Sequence, residues 1–291
     1  MGDKNDKKIS AFFVFMAAFL WGLIGFFTTN LSTAGFTNMQ IIFIRASITT
    51  LFLGITLLIR GKNEFKVKFK DLWMFFGMGF VSFCLFNFCY FTSMHLNNSL
   101  STACILMYTA PVFVMLMSLI LFKEKITKIK VVSVILAILG CFFVCGIGKI
   151  TPIGFLFGIG SGIGYALYSI FGTFAIKKYS TYTSTFYAFL FGAIGAFFMC
   201  DAKDAIILMT QSTHNFLLCF LIAVLITLVP YILYTKGLEK VEASKAIIIA
   251  CIEPVVATLL GIFMYNQNLS FLSFVGMILI MIAVCILSIK K

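Results

Sequence analysis

Charged residues are scarce in this chain, and acidic residues are the scarcest. Aspartate and glutamate together number 10 among 291 residues, and all charged residues make up 11% of the sequence, against 62% that are hydrophobic. A soluble domain has roughly a quarter of its residues charged. The composition therefore excludes a soluble globular protein and indicates a polytopic membrane protein.

Side chains that carry catalysis or bind metal ions are also few. The two histidines, His95 and His214, fall near the ends of apolar runs and away from any carboxylate cluster. The sequence holds no nucleophile–base pair, HExxH motif or nucleotide-binding loop, and the nine cysteines lack metal-type spacing. We therefore expect no enzymatic activity, no cofactor and no metal site, and interpret the cysteines as small buried hydrophobic residues.

Long apolar runs account for most of what remains. Ten of them, each about 20 residues long, recur along the chain, and a helix of this length crosses a hydrocarbon core of about 30 Å. The sequence therefore predicts an all-α membrane protein with ten transmembrane helices. The predicted spans cover residues 9–29, 38–59, 72–94, 100–122, 128–147, 152–176, 182–200, 215–236, 243–265 and 270–289.

Basic residues are distributed very unevenly between the two sides that these spans define. Nineteen of the 22 lysines and arginines lie on the side of the N-terminus, only Lys149 and Lys203 lie on the other, and Arg45 is inside the second span. Because positive charge is retained in the cytoplasm, we predict cytoplasmic termini in an inner or plasma membrane. The net charge of +12 then indicates contact with anionic lipid rather than binding of nucleic acid.

The second half of the chain repeats the first at an offset of 143 residues. Ala110-Pro111 then falls on Glu253-Pro254, and Ser101 falls on Ser244. Each half, 1–148 and 149–291, contains five predicted spans, and an odd number makes the repeat inverted. Two oppositely directed, proline-interrupted helices at matching positions indicate a binding site near the membrane midplane of a transporter. The alternative is that both prolines only produce kinks that serve packing.

Several short motifs occur in order along the chain, namely Trp21-Gly22, Phe43-Ile44-Arg45, Ala110-Pro111-Val112, Phe122-Lys123-Glu124, the region of Gly140 and Glu253-Pro254-Val255-Val256-Ala257. In this order they resemble the drug/metabolite transporter superfamily, in particular its ten-span EamA-type members. The resemblance covers nearly the whole chain and implies two inverted five-helix bundles around a central cavity, alternating access, and small polar metabolites as cargo. One departure is Gln267, at a place where the family commonly has an acidic residue.

Two charged residues within the predicted spans are the leading candidates for function. Glu253 is the only acidic residue well inside a span, so we predict that it couples transport to protons or binds a substrate ammonium group. Its alternative role is to hold the broken helix together by hydrogen bonds. Arg45 is suited to bind an anionic group of a substrate or to pair with Glu253 in the empty carrier, and its alternatives are snorkelling or a structural tie.

Amphipathic side chains within the spans complete the predicted site. Their polar tips need partners inside hydrocarbon, which favours positions around a wet cavity. We predict substrate binding by five of them, and we add Pro230 to Pro111 and Pro254 as helix-breaking or gating residues. The five are Trp21, Asn87, Tyr108, Tyr165 and Tyr231.

The leading hypothesis is a secondary transporter, as monomer or homodimer, of amino acids or related zwitterions. Export with proton antiport is favoured, and proton symport in uptake and transport without ion coupling are the alternatives. One buried cation and one buried anion among aromatic residues favour such a cargo. A carrier for a vitamin or nucleobase-like compound, in which stacking dominates, is one alternative. The other is a membrane sensor or scaffold without flux.

Overall fold

The computed structural model describes residues 2–146, 148–265 and 270–289, and the regular elements in these ranges are helical. Apolar side chains cover most of their length, and the helical backbone satisfies its own polar groups, as a membrane requires. The helices are α1 (Gly2–Gly22), α2 (Ile24–Thr33), α3 (Asn38–Arg60), α4 (Leu72–Phe76), α5 (Phe86–Asn97), α6 (Leu100–Met107), α7 (Ala110–Phe122), α8 (Lys128–Cys145), α9 (Pro152–Ile176), α10 (Thr181–Phe197), α11 (Ala202–Thr210), α12 (Thr213–Ala223), α13 (Val229–Gly237), α14 (Ala243–Ala250), α15 (Glu253–Tyr265) and α16 (Phe271–Ile289).

Eight helices or helical runs of the described chain are long and apolar enough to cross a membrane. The pair α10 and α11 adds a ninth if it is counted as one span, although the two helices meet at 104°. A shorter apolar helix, Phe271–Leu287, follows near the end of the chain. The protein is therefore a multi-pass membrane protein. The sequence did not predict α11, which lies in the segment expected to connect the seventh and eighth spans.

Two of these runs are interrupted beside a proline. Helix α6 ends at Met107 and α7 begins at Ala110, one residue before Pro111. In the other half, α14 ends at Ala250 and α15 begins at Glu253, one residue before Pro254. Proline has no N–H to give to the carbonyl four residues earlier, so the helical ladder is broken at this point. An offset of 143 residues superposes the two breaks.

Two further runs contain π-helical segments, at Gly77–Leu85 between α4 and α5 and at Val224–Leu228 between α12 and α13. The same offset places the second segment on the last five residues of the first. Asn87 and Pro230 are then counterparts. The side-chain amide of Asn87 donates to the carbonyl of Phe83 at 2.6 Å, whereas Pro230 lacks the backbone donor altogether. Both residues disturb the regular ladder, and such disturbances produce single-turn π-helical bulges.

The two halves pack against each other through matching helix pairs. Helix α3 packs against α10, α8 against α16, and α7 against α14, and these pairs join predicted spans two and seven, five and ten, and four and nine. Helices α5 and α9 join spans three and six, and α1 and α13 join spans one and eight. Exchanging the halves turns one of these last two pairs into the other, so these five pairings are unchanged by the exchange.

Candidate substrate cavity

A cavity of about 820 Å³ lies between the two halves of the chain. It extends from the helix breaks to the end of the bundle where α2 ends and α3 begins, with Thr33 and Asn38 at its rim. Ligand sites in proteins commonly have volumes of about 300–1,000 Å³. All seven residues that the sequence suggested for substrate binding line it, namely Trp21, Arg45, Asn87, Tyr108, Tyr165, Tyr231 and Glu253.

Arg45 is the one basic residue among the described residues that line the cavity. It projects from α3, and only 5% of it is exposed. Its Nε–H donates to the hydroxyl of Thr227 at 2.8 Å, and this hydroxyl donates to the carbonyl of Ile222 at 3.0 Å. The guanidinium also lies 5.6 Å from the centre of the Phe83 ring. These contacts fix its direction, and the terminal amino groups of the fork remain suited to bind a carboxylate.

Glu253 is the first residue of α15, where the partial positive charge of the helix N-terminus favours a carboxylate. The hydroxyl of Tyr165 donates to it at 3.3 Å. No nitrogen of Arg45 lies within 4.0 Å of a Glu253 oxygen, so the ion pair considered from the sequence is not formed between these two described residues. A carboxyl group and a guanidinium therefore face one cavity without direct contact.

Aromatic rings form the floor of the cavity. The ring of Trp21 lies 5.0 Å from that of Tyr231 and 6.5 Å from that of Tyr165, and Phe86 stacks on Tyr165 at 5.5 Å. Below the floor lies Tyr234, whose ring is 5.3 Å from Trp21 and which is only 2% exposed. This layer separates the cavity from the other end of the bundle.

Comparison with known proteins identifies the family. The chain matches the EamA-like transporter family over residues 8–146 and again over residues 152–289. The chain belongs to the EamA-like transporter family. Because the two matches together cover nearly the whole sequence, this membership also makes the protein a membrane transport protein.

Relatives of this EamA-like protein are named as transporters too. An uncharacterized transporter of Archaeoglobus fulgidus is 28% identical over 276 residues, which cover 93% of this chain and 95% of the relative. The uncharacterized transporter YxxF of Bacillus subtilis is 26% identical over 266 residues, which cover 89% and 82%. A solved crystal structure superposes with a TM-score of 0.77 over 96% of each chain at 16% identity, which shows a shared fold.

The end of this EamA-like bundle opposite the cavity mouth is closed by an ionic cluster around one buried lysine. Lys130 of α8 lies 3.3 Å from Glu124 and 2.9 Å from Glu242, and its side chain is 4% exposed. Glu124 also accepts hydrogen bonds from the hydroxyl of Ser244 and from the N–H of Ala243, at 3.2 Å for the latter. The cluster, which we call the inner cluster, ties the end of α7 and the start of α8 to the start of α14.

Electrostatics favour the charged state of Glu242. Burial alone would raise the pKa of Glu242, but the ammonium groups of Lys130 and Lys245 outweigh burial and hold this pKa below its ordinary value. The counterpart of Glu124 in the repeat is Gln267, which lies outside the described residues. An amide there cannot supply the charge that Glu124 supplies at the inner end.

Sequence reasoning missed Thr227 and the inner cluster. Thr227 lies in a long apolar run, and a lone threonine in such a run ordinarily bonds its own helix. Glu124, Lys130 and Glu242 fall at predicted span ends, where charged residues are common. Two signals were available: the motif that contains Glu124, and the pairing of Ser101 with Ser244 in the repeat, which marks equivalent positions at the two ends of the bundle.

Proposed function

We propose that this protein is a secondary transporter of the inner or plasma membrane, with cytoplasmic termini, which moves amino acids or related zwitterions by alternating access. The halves 1–148 and 149–291 act as inverted repeats around the cavity. Three observations support this architecture: the exchange-symmetric packing, the matching helix breaks and the matching π-helical segments. Family membership supports transport, and the cavity chemistry supports the cargo.

The arrangement of Arg45 and Glu253 carries the proposal about cargo. An anion and a cation that face one cavity without pairing are complementary to a molecule with one charge of each sign. Leaving both charges inside a membrane is costly unless they are paired or solvated. A zwitterion that fits between them satisfies both charges, and the aromatic floor accommodates its apolar part.

Glu253 gives this carrier a means of coupling export to protons. A carboxylate can bind a proton or a substrate ammonium group, but not both at the same oxygen. In the state described here, the cavity extends to the end that the positive-inside rule places outside the cell, so Glu253 takes up a proton there. When the cavity faces the cytoplasm, substrate ammonium replaces that proton, and export is exchanged for proton entry.

Transport in proteoliposomes tests both residues. We expect Arg45→Ala and Glu253→Gln each to lower uptake of the amino acids that the wild type carries by at least tenfold, because each removes one half of the charge recognition. Arg60→Ala and Glu239→Gln are matched controls at the cytoplasmic end, where Arg60 lies over the ring of Tyr182 and Glu239 accepts a hydrogen bond from Thr181. Unchanged transport in both site variants would refute the assignment.

An imposed pH gradient tests the coupling separately. Exchange predicts that vesicles with an acidic interior accumulate substrate and that the residual transport of Glu253→Gln does not respond to the gradient. Accumulation that is the same with and without the gradient would remove the coupling from the proposal. Substrate binding by Arg45 would remain.

One observation favours a second cargo class. Phe86 and Tyr165 are stacked with 23° between their ring planes, and Trp21 lies beside them, so a flat aromatic ligand such as a nucleobase or vitamin ring would find stacking partners. A thermal-shift panel of amino acids, nucleosides and vitamins separates the classes, because a ligand stabilises the state that it binds. Stabilisation by nucleosides or vitamins alone would favour this second class.

A further inference from the structure

The indole N–H of Trp21 is a buried donor without a partner. Trp21 lines the cavity, is only 6% exposed, and its Nε1 has no hydrogen-bond acceptor within the described chain. An indole nitrogen can donate but cannot accept. Most buried donors in native proteins are satisfied by protein or ordered water, so this one needs an acceptor from the cavity.

The neighbouring side chains do not supply that acceptor. Around the indole lie the rings of Tyr165, Tyr231 and Tyr234. The hydroxyl of Tyr165 is directed to Glu253 at 3.3 Å, and that of Tyr234 is bonded to Ser169 at 2.7 Å. None of these three hydroxyl groups accepts a hydrogen bond from the indole, which leaves the cavity as its source of an acceptor.

Trp21 and Arg45 both line the cavity, and packed rings connect them. The ring of Tyr231 lies 5.0 Å from Trp21 and 5.9 Å from Phe83, and Phe83 is the ring beneath the Arg45 guanidinium. The two donors are thus linked through two rings in mutual contact. A carboxylate has about four acceptor positions on its two oxygens, enough for the guanidinium fork and one further N–H.

We propose that the indole N–H of Trp21 and the guanidinium of Arg45 together bind the carboxylate of the substrate. This orients the substrate ammonium toward Glu253. The inference rests on the proposed zwitterion transport and adds the binding mode: Trp21 selects for a carboxylate oxygen rather than contributing an aromatic wall alone. An amine without a carboxylate makes no use of this donor.

The two tryptophans of the chain make a direct test available. Trp73 is 48% exposed and packs against Phe171 and Phe174, outside the cavity lining. In a Trp73→Phe protein, Trp21 is the sole indole, and both its fluorescence and the ultraviolet resonance Raman band that reports N–H hydrogen bonding can be read without interference. The probes are the protein amino acids and, for each one that binds, the amine lacking its carboxylate and the acid lacking its ammonium group.

We expect the amino acid and the acid to shift the Raman band toward a hydrogen-bonded indole, and the amine to leave it unchanged. Trp21→Phe should weaken binding of the amino acid and the acid by about 10- to 100-fold, the effect of a lost hydrogen bond to a charged group, and should spare the amine. Trp73→Phe is the matched control and should bind all three as the wild type does.

A substitution that preserves packing keeps the test valid if Trp21→Phe folds poorly. In the Trp73→Phe background, 3-benzothienylalanine at position 21 keeps the shape of the ring and removes the N–H, and calorimetry then replaces fluorescence. Equal losses for acid and amine, no loss for either, or an unshifted band would overturn the donor role. If Arg45→Ala still lowers amino-acid transport at least tenfold, the zwitterion proposal survives the failure of the donor role. If no probe binds to the wild type, both proposals are wrong.

Discussion

The Nε–H of Arg45 is bonded to a hydroxyl, and this bond decides which of its donors remain for a substrate. Thr227 is the acceptor, and it lies 182 positions along the chain in the π-helical segment of the other half. A guanidinium tethered through Nε presents its two amino groups as a fork, which is the geometry that carboxylates bind. Orientation of the cation is therefore a property of both halves together.

Replacing Thr227 by valine tests this tether. The change preserves shape and removes the acceptor, so Arg45 gains rotational freedom, and we expect substrate affinity to fall by about tenfold. Thr50→Val is the control, because the Thr50 hydroxyl donates only to the carbonyl of Ala46 in its own helix, at 2.8 Å. Binding by calorimetry is the measurement, and equal effects of the two substitutions would contradict the tether.

At this scale, polar residues in apolar spans were good predictors of the cavity lining. A polar tip at membrane depth needs a polar neighbour or water, so the positions of Tyr108 and Glu253 in the sequence are enough to indicate a cavity. Thr227 gave no such indication, because its hydroxyl can also satisfy itself on the carbonyl of Ile222. Only the fold shows that Arg45 reaches it.

Helices α1 and α15 approach each other closely at Gly22. A Cβ at this position would lie 2.5 Å from the Cβ of Val256 and 2.8 Å from the carbonyl oxygen of Glu253. These are atoms that no rotation of a side chain can move away. The absence of a side chain at Gly22 therefore allows the N-terminal turn of α15, and with it Glu253, to lie against the residue that follows Trp21.

We expect Gly22→Ala to push α15 away from α1, to cost about 1–3 kcal/mol of stability as overpacking does, and to lower transport. Gly25→Ala is the matched control one turn along the chain, because a Cβ there meets nothing within 4 Å. Thermal unfolding in detergent and transport in vesicles are the measurements. A loss of stability in Gly25→Ala as large as in Gly22→Ala would rule out the contact with α15 as its cause.

Proline positions predict some of the helix interruptions from sequence, but not all of them. The interruptions before Pro111 and Pro254 follow from a missing N–H and need no tertiary information. The π-helical segment of the first half has no proline, and its counterpart residue Asn87 acts through a side-chain bond that only coordinates reveal. The bend of 104° before α11 likewise depends on packing rather than on local pattern.

The inner cluster closes one end of the bundle, and the cavity opens at the other end. Together they define a conformation that is open at one end only. Lys130 and Glu124 hold the inner end closed by charge, whereas position 267 offers an amide as the counterpart of Glu124. A carrier closed more firmly at one end than at the other rests with the opposite end open. We therefore expect the outward-open state to dominate in the absence of substrate.

Glu124→Gln should weaken the closed inner end by about 1–3 kcal/mol, because Lys130 loses a charged partner. Hydrogen exchange should then become faster at the first turns of α8 and α14. Glu239→Gln removes a carboxylate from another contact on the same side, with Thr181, and should leave these peptides unchanged. Identical exchange in wild type and Glu124→Gln would show that charge does not close this end.

Acidity should act in the same direction as Glu124→Gln. The pKa of Glu242 is lower in the folded protein than its ordinary value of 4.5, so its contribution to closure is complete above that value and is lost as pH falls below it. Faster exchange at the inner end should therefore set in only at acidic pH.

The repeat in the sequence predicted two related halves, but the preferred state depends on these few interactions and was not predictable from the repeat.

The two helix breaks differ in one residue, and this difference limits the stoichiometry of the proposed proton exchange. Ala110 occupies the position that Glu253 has in the other half, so one carboxylate lines the cavity within the described chain. One such group exchanges at most one proton for each zwitterion, and a pH difference of one unit can then sustain only about a tenfold concentration ratio. Each cycle also moves one net charge, to which a membrane potential contributes about 2.3 kcal/mol per 100 mV. The proposed exchange would therefore be electrogenic, and the potential would drive export even where the pH on the two sides is equal.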